Sequence, residues 1–387
     1  MRKIPSIKKI KIKVIGIGAG GSTIVSEIAK NIKKASFVVT DCDKRILKKG
    51  EKNIKVIQLG EDISHGLGTG INPILGEEIA RKEKEKITKI LKNQDLLILI
   101  ACLGGGFGSG ATPVFAELSK NFKNISLGIF TLPFKFEGEK KTKIAKEALE
   151  KIKENLSGTF IVSNEKIFQV IDKHTPFKKA LSILNKNLIL ILKDLIELIS
   201  KTGVINIDFA DLRTILKGRG QIIYVGSIIC SGPNRTEEAI KKVFQSPFYG
   251  GAAAAFFCKN ILFNISGGED LTLKEVERIS SGIYNICPQA KIIFGISQDK
   301  KYNGKVKITL IQAGEEKIKK SIRKKIVKKE KPLKREAVKE KKKTKKKRKE
   351  IRRSALEIKK AEKEEESEVL AQEKEWEIPA FLRKKIK

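Results

Sequence analysis

Few residues in this chain suit metal binding or cross-linking. Its 387 residues include two histidines, one tryptophan and one methionine. His65 and His174 cannot build a metal site by themselves, so no metal-ligating residues are expected. Five cysteines (42, 102, 230, 258 and 287) form no C-x-x-C pair, and several sit in apolar runs. They read as reduced core thiols, neither a disulfide framework nor zinc ligands. No apolar run reaches the ~18 residues of a membrane span, and no N-terminal stretch has the apolar core of a signal peptide. The expectation is a soluble, cytoplasmic protein.

Basic charge, in contrast, is abundant. Lys and Arg number 81 against 45 acids, a formal net charge of +36. Residues 315–387 carry +15 of this and the body carries the other +21. Excess of this size raises nucleic-acid binding, yet the body's lysines are scattered among isoleucines and mark no patch. Hydrophobic residues make up 40%, enough for a substantial core and room for two domains and a tail.

The most informative stretch is DLLILIACLGGGFGSGATPVFAELSK, from Asp95 to Lys120. The run Leu96–Leu103 predicts a strand buried on both faces. It empties into glycines at 104, 105, 106, 108 and 110, followed by Pro113 and an amphipathic helix. Glycines packed between a strand and a helix N-terminus let backbone N–H groups converge, and the helix dipole adds positive potential, so the loop suits a phosphate. No Lys follows in G-x-x-x-x-G-K-[ST] form, which excludes a Walker P-loop.

Upstream, KIKVIGI (Lys11–Ile17) predicts a first strand running into GIGAGG (Gly16–Gly21), with a helix from about Ser22. A second strand, Phe37–Thr40, ends at Asp41, Cys42 and Asp43, where dinucleotide folds place a ribose-binding acid. That segment alone supports an NAD- or FAD-dependent oxidoreductase but leaves the richer loop at Gly104 without a role. A third glycine loop, GLGTGINP (Gly66–Pro73), combines small positions with an Asn-Pro turn that lets backbone wrap an anion. Further strands are predicted at Ile125–Leu132 and Thr159–Ser163. Strands alternating with helices specify a parallel, doubly wound sheet with its ligand loops at the strands' carboxyl ends. Lys179–Ser200 reads as a buried helix, and strands at 221–229, 261–265, 291–297 and 305–312 read as a smaller α/β domain.

GGGFGSGATP resembles the signature loop of the tubulin/FtsZ superfamily, usually G-G-G-T-G-[ST]-G. KVIGIGAGGS, GLGTGINP, PFKFEG, GVINIDFADL and FNISGGEDL are each similar to motifs of that family's FtsZ branch. The resemblance implies a GTP-binding and hydrolysing protein that polymerises head to tail into cytoskeletal filaments organising bacterial cell division. It implies GTP or GDP held by Gly18, Ala19, Gly20, Gly21 and Ser22 of the first loop, and by Gly68, Thr69, Gly70 and Asn72 of the next. The signature loop would add Gly104, Gly105, Gly106, Phe107, Gly108, Ser109 and Gly110, with Mg²⁺ on the phosphates. Glu137 would accept from ribose hydroxyls, Lys141 stands where the family has Arg, and Asn164 matches a base-contacting Asn. Asn206, Asp208 and Asp211 would complete the site of the neighbouring protomer by positioning and polarising the attacking water.

Three departures accompany the resemblance. The first loop is one glycine short, and Phe107 replaces a threonine, removing a hydroxyl and adding bulk beside the phosphates. The family's base-reading Asp aligns with Lys186 or its neighbour Asn185. Lysine cannot accept the guanine donors and Asn accepts only through its oxygen, so weaker base discrimination is expected. A polymer-forming homologue with altered nucleotide use is therefore the nearer alternative, and a dinucleotide oxidoreductase the distant one.

The resulting organisation is a nucleotide-binding domain over 10–175, a central helix over 176–203 and a C-terminal domain with the catalytic loop over 204–314. A charged linker (315–372) and a terminal peptide (373–387) follow. Eight of the nine residues 341–349 are basic, which solvates the linker and allows weak contact with acidic lipid or nucleic acid. The peptide resembles the family's terminal I-P-A-F-L-R, which docks on membrane-tethering division proteins. Trp376, Ile378, Pro379, Phe381, Leu382 and Arg383 would make that contact, placing the protein at the division site on the inner face of the membrane.

Overall fold

In the computed structural model, residues 10–47, 53–172, 174–200, 203–245 and 259–315 are described. The predicted linker and terminal peptide lie outside the described residues, apart from Glu315 at their start. The first half alternates strands and helices. β1 (Ile12–Ile17), α1 (Gly18–Ala29), β2 (Ser36–Asp41) and β3 (Ile54–Gln58) come first, then α2 (Glu61–Ser64), α3 (Pro73–Lys82) and α4 (Lys84–Leu91). β4 (Leu96–Cys102), α5 (Gly106–Ser119), β5 (Ile125–Leu132), α6 (Glu139–Lys153) and β6 (Gly158–Ser163) complete it. These six strands are parallel, in the order β3-β2-β1-β4-β5-β6.

The apolar run of β4 fills both faces of the sheet, as its sequence predicts. Leu96, Ile98 and Ile100 join a core with Ile24, Val25 and Ile28 of α1, whereas Leu97, Leu99 and Ala101 join a second core with side chains of α3, α4, α5 and α6. Each fully buried Ile or Leu contributes about 1.5–3 kcal/mol of transfer free energy, so the middle strands are fixed firmly and the loops at their ends inherit that rigidity.

α7 (Phe177–Ser200) then packs on the α1 side of the sheet, with Leu184, Leu188, Leu192, Leu195 and Ile199 all buried. α8 (Phe209–Ile215) follows, then β7 (Gln221–Ser231), α9 (Arg235–Gln245), β8 (Asn260–Gly267), α10 (Leu273–Ile286), β9 (Lys291–Gln298) and β10 (Lys305–Glu315). The sheet does not break between the halves. Gly158 and Thr159 at the start of β6 pair in parallel with Gln221 and Ile222 of β7, giving ten strands ending β6-β7-β10-β8-β9. β10 runs antiparallel between β7 and β8, and a third core lies under α9 and α10. Strand β3 went unread in the sequence because IKVIQ is short and only half-buried.

Candidate nucleotide site

The strand order reverses between β1 and β4, and ligands of open α/β sheets bind outside the carboxyl ends at such a point. A cavity of about 490 Å³ lies there, walled by the segments that leave β1, β2, β4, β5 and β6 and by the loop before α3.

Two helices start in its wall, and neither has a side-chain cap or an acid in its first turn. They are α1, after Ile17, and α5, after Gly105. Side chains do cap α3 (Asn72), α8 (Asp208) and α10 (Thr272). The first N–H groups of α1 and α5 have no intrahelical partner, and their dipoles add positive potential. Together they make an anion site that uses no cationic side chain. The loops also touch backbone to backbone. Gly18 sits at φ +76°, and a Cβ there would come within 2.9 Å of Gly108 Cα. A Cβ on Gly106 would lie 2.4 Å from both Gly70 O and Thr69 Oγ1, while Gly106 N–H donates to Gly70 O at 3.1 Å.

Of the residues singled out in the sequence, Gly18, Ala19, Gly20, Gly68, Thr69, Gly70, Gly104, Gly105, Gly106, Phe107, Gly108, Glu137, Lys141 and Asn164 line the cavity. Others stand behind the wall and shape it. Ser109 Oγ accepts from Gly104 N–H at 2.8 Å, and Asn72 Oδ1 accepts from Ile74 and Leu75 N–H at 3.0 and 3.3 Å. A Cβ on Gly110 would fall 2.0 Å from Pro73 O, and one on Gly21 2.3 Å from Ile100 O. Ser22 is buried in α1. Phe107 is only 5% exposed and belongs to the core with Ile79 and Phe115. The bulk expected beside the phosphates is thus largely taken up by the core.

At the other end of the cavity, Glu137 Oε1 accepts from Phe134 N–H at 2.9 Å and Oε2 pairs with Lys141 Nζ at 3.0 Å. Asn164 opens the 3₁₀ turn that follows β6. Asn185 and Lys186, on α7, are half-buried and exposed and do not line the cavity.

Sequence reasoning missed Arg45, Ile46, Leu67, Thr131 and Pro133, and met Asp41 and Asp43 only through the dinucleotide pattern. Arg45 clasps the β2 loop to the next one. It donates to Asp43 Oδ1 from Nε at 2.9 Å, to Oδ2 from a terminal nitrogen at 2.7 Å, and to Leu67 O at 3.4 Å. A D-x-R tripeptide carries no periodic signal that would announce this. The guanidinium hydrogen bond holds the Asp43 carboxyl below its ordinary range, whereas burial raises that of Asp41. Burial also pushes the Cys42 thiol up to about 12 and raises Cys102. Both shifts disfavour the thiolate form of these cysteines.

Asn206, Asp208 and Asp211 also lie off the cavity lining. Their loop is tied down by reciprocal backbone bonds between Ile205 and Ile296, at 3.1 and 2.9 Å, and by Asn206 Oδ1 accepting from Gly203 N–H. Asn206 and Asp208 are exposed. The chain therefore keeps the glycine-walled cavity and its paired aspartates in different places.

Residues 11–172 match the family model "Tubulin/FtsZ family, GTPase domain", and residues 221–316 match "FtsZ family, C-terminal domain". The Cell division protein FtsZ of Coxiella burnetii is 32% identical over 317 residues, covering 80% of this chain and 80% of that protein. That of Buchnera aphidicola is 32% identical over 305 residues, covering 78% of each. An FtsZ dimer structure from M. jannaschii superposes with a TM-score of 0.71 at 31% identity, covering 79% of this chain and 89% of that one. CetZ2 from Haloferax volcanii, a GTPgS-bound protofilament, has a TM-score of 0.67 at 18% identity over 83% of this chain and 99% of that one. This last likeness shows the fold alone.

Proposed function

The chain belongs to the FtsZ family of tubulin-like GTPases, and from that premise we propose how a protomer divides the work. It is a cell-division GTPase that forms filaments. The observation that carries the finer reading is the separation just described. The uncapped helix N-termini and glycine loops wall one cavity, and the aspartate loop is outside it. GTP sits with its phosphates on the N–H groups of α1 and α5, its ribose toward Glu137 and its base toward Asn164. Hydrolysis then needs Asp208, Asp211 and Asn206 from the next protomer. A head-to-tail contact of this kind repeats without closing and builds an open filament.

The dinucleotide reading gives way, because the loops after β1 and β4 wall one cavity and the second carries the signature of the GTPase domain. Altered base use remains favoured by one observation, that neither Asn185 nor Lys186 lines the cavity. Mg²⁺ fits the site as a partner of the phosphates. The described residues contain no cluster of three ligating side chains, so the protein alone would not hold the ion. Bound there, it would supply charge neutralisation at the phosphate oxygens.

Among the described residues no helix is long and apolar enough to cross a membrane. Membrane attachment at the division site is assigned to the terminal peptide, Trp376–Arg383, through a tethering division protein. The basic linker adds only screened contact with acidic lipid or nucleic acid. The test of the nucleotide reading is to denature freshly purified protein and identify the released nucleotide by chromatography. GDP or GTP is expected. A bound dinucleotide, or no nucleotide with no uptake of added GTP, would refute it.

A further inference from the structure

Asp41 closes β2 inside the cavity wall, only 4% exposed. Its Oδ1 accepts from Cys42 N–H at 2.7 Å and from Asp43 N–H at 3.0 Å, which turns the chain off the strand. Oδ2 takes neither bond, and the carboxylate meets no cation among the described residues.

The charges lining the cavity are two cations and three carboxylates. Both cations are committed, Arg45 to Asp43 and Lys141 to Glu137. The Asp41 charge is left over, and the charged group acting on it is Asp43, of like sign. Burial therefore penalises its ionised form, the two N–H bonds to Oδ1 offset only part of that cost, and no cation in the wall supplies the rest. A nucleoside di- or triphosphate adds more negative charge to the same wall. Backbone dipoles orient phosphates but do not neutralise them. A carboxylate and phosphate oxygens around one space form the donor set magnesium prefers, one or two carboxylates with the remainder from phosphate and water.

Resting on the nucleotide reading above, we infer that Asp41 is the protein's own ligand for a divalent cation that enters only with the nucleotide. The site is incomplete without the phosphates, in keeping with the lack of a three-ligand cluster among the described residues. The more exposed Asp43 is not available for this role, because Arg45 already occupies both of its oxygens.

The test uses the full chain, GDP to avoid turnover, and Mn²⁺ as a probe read by electron paramagnetic resonance. Asp41→Asn keeps an Oδ1 acceptor for both N–H groups, and an unchanged melting temperature would confirm that the turn survives. Wild type is expected to hold Mn²⁺ tightly with GDP and not without it. In Asp41→Asn, the Mn²⁺ affinity of the GDP complex should fall by about 10–100-fold, the scale on which groups supporting a bound metal act. GDP affinity in EDTA should stay equal or tighten, because a negative charge has left the wall. Equal Mn²⁺ affinity in the two proteins would overturn the inference and leave the cation to the phosphates. Weaker GDP binding in EDTA would overturn it too, showing that Asp41 touches the nucleotide itself. Wild type that takes up no GDP under either condition would instead remove the nucleotide reading on which the inference stands.

Discussion

Asp208 and Asp211 hold each other at the start of α8. Asp211 N–H donates to Asp208 Oδ1 at 2.8 Å and Asp208 N–H donates to Asp211 Oδ2 at 2.9 Å, a reciprocal capping box. One oxygen of each carboxylate is spent on structure, and Asp208 is exposed. A variant at either position therefore mixes two effects, lost capping and lost charge.

The amide variants separate them. Asp208→Asn and Asp211→Asn each keep an oxygen acceptor, so the helix start should survive, while Asp208→Ala should cost about 1 kcal/mol of stability. All three should retain GTP and lose about 10²-fold or more of turnover if the carboxylate charge acts on water. Phosphate release and thermal melting, run on the same samples, check this. Amide variants with wild-type turnover would reduce the aspartates to a helix cap.

Hydrolysis should depend on protein concentration, because the anion-binding wall and the aspartate loop lie apart within one chain. Turnover per protomer is expected to rise steeply above a threshold, together with light scattering. Mixing in Asp211→Asn protein should inhibit by more than dilution does. Constant turnover per protomer down to high dilution would mean that one chain holds a complete site.

The sequence made the sheet and the position of the cavity legible because both rest on strong local signals. The run at Leu96–Cys102 can only be a strand covered on both faces, and glycine repeats directly after β1 and β4 mark where backbone must approach backbone. The roles of individual loop residues were less legible. Ser109, Asn72 and Gly110 stand in glycine motifs, yet their contacts brace the wall from behind, and only three-dimensional packing distinguishes lining from bracing. Phe107 follows the same logic, since whether its ring faces the phosphates or the core depends on where α3 sits. The clasp of Arg45 on Asp43 and Leu67 joins loops 22 residues apart, a pairing that no periodicity encodes.

Base recognition should depend on Asn164 and not on α7. Asn164 lines the cavity, whereas Lys186 is exposed away from its lining. Asn164→Ala is expected to weaken GDP binding by about tenfold, near the net worth of one or two hydrogen bonds. Lys186→Ala should leave binding unchanged, and wild type should prefer GTP over ATP only weakly, since no carboxylate reads the base edge. Titrations of both nucleotides against the three proteins check this. A strong GTP preference abolished by Lys186→Ala would return base reading to the central helix.

Deleting residues 376–387 should abolish recruitment to a membrane-tethering division protein and leave turnover nearly unchanged. Buried aromatic and aliphatic anchors such as Trp376 and Phe381 carry most binding energy in short peptides, roughly 1–3 kcal/mol each. Linker lysines contribute screened attraction. Vesicle flotation without any tethering protein separates the two. Salt-sensitive binding that survives the deletion would make the linker the membrane contact.

The sharpest prediction for stability concerns Asp194 of α7 and Lys307 of β10, an ion pair joining positions 113 residues apart with side chains only 5% and 9% exposed. The two flank a small cavity of about 70 Å³ with Asn264, Ser266 and Thr309, between the central helix and the C-terminal strands. Burying both charges costs desolvation that their attraction roughly offsets, so the pair adds little net stability. Removing one partner is different, because the other is left charged and unpaired in the interior. Lys307→Met alone should therefore lose about 3–5 kcal/mol, whereas Asp194→Leu with Lys307→Met should come back to within about 1–2 kcal/mol of wild type or exceed it. Urea unfolding with an unchanged m-value measures both differences. The stability difference between wild type and Lys307→Met should change little with added salt, since a buried pair is poorly screened. A double variant destabilised by the sum of Asp194→Leu and Lys307→Met measured singly would show that the two side chains act on the fold independently, through packing and not through each other's charge.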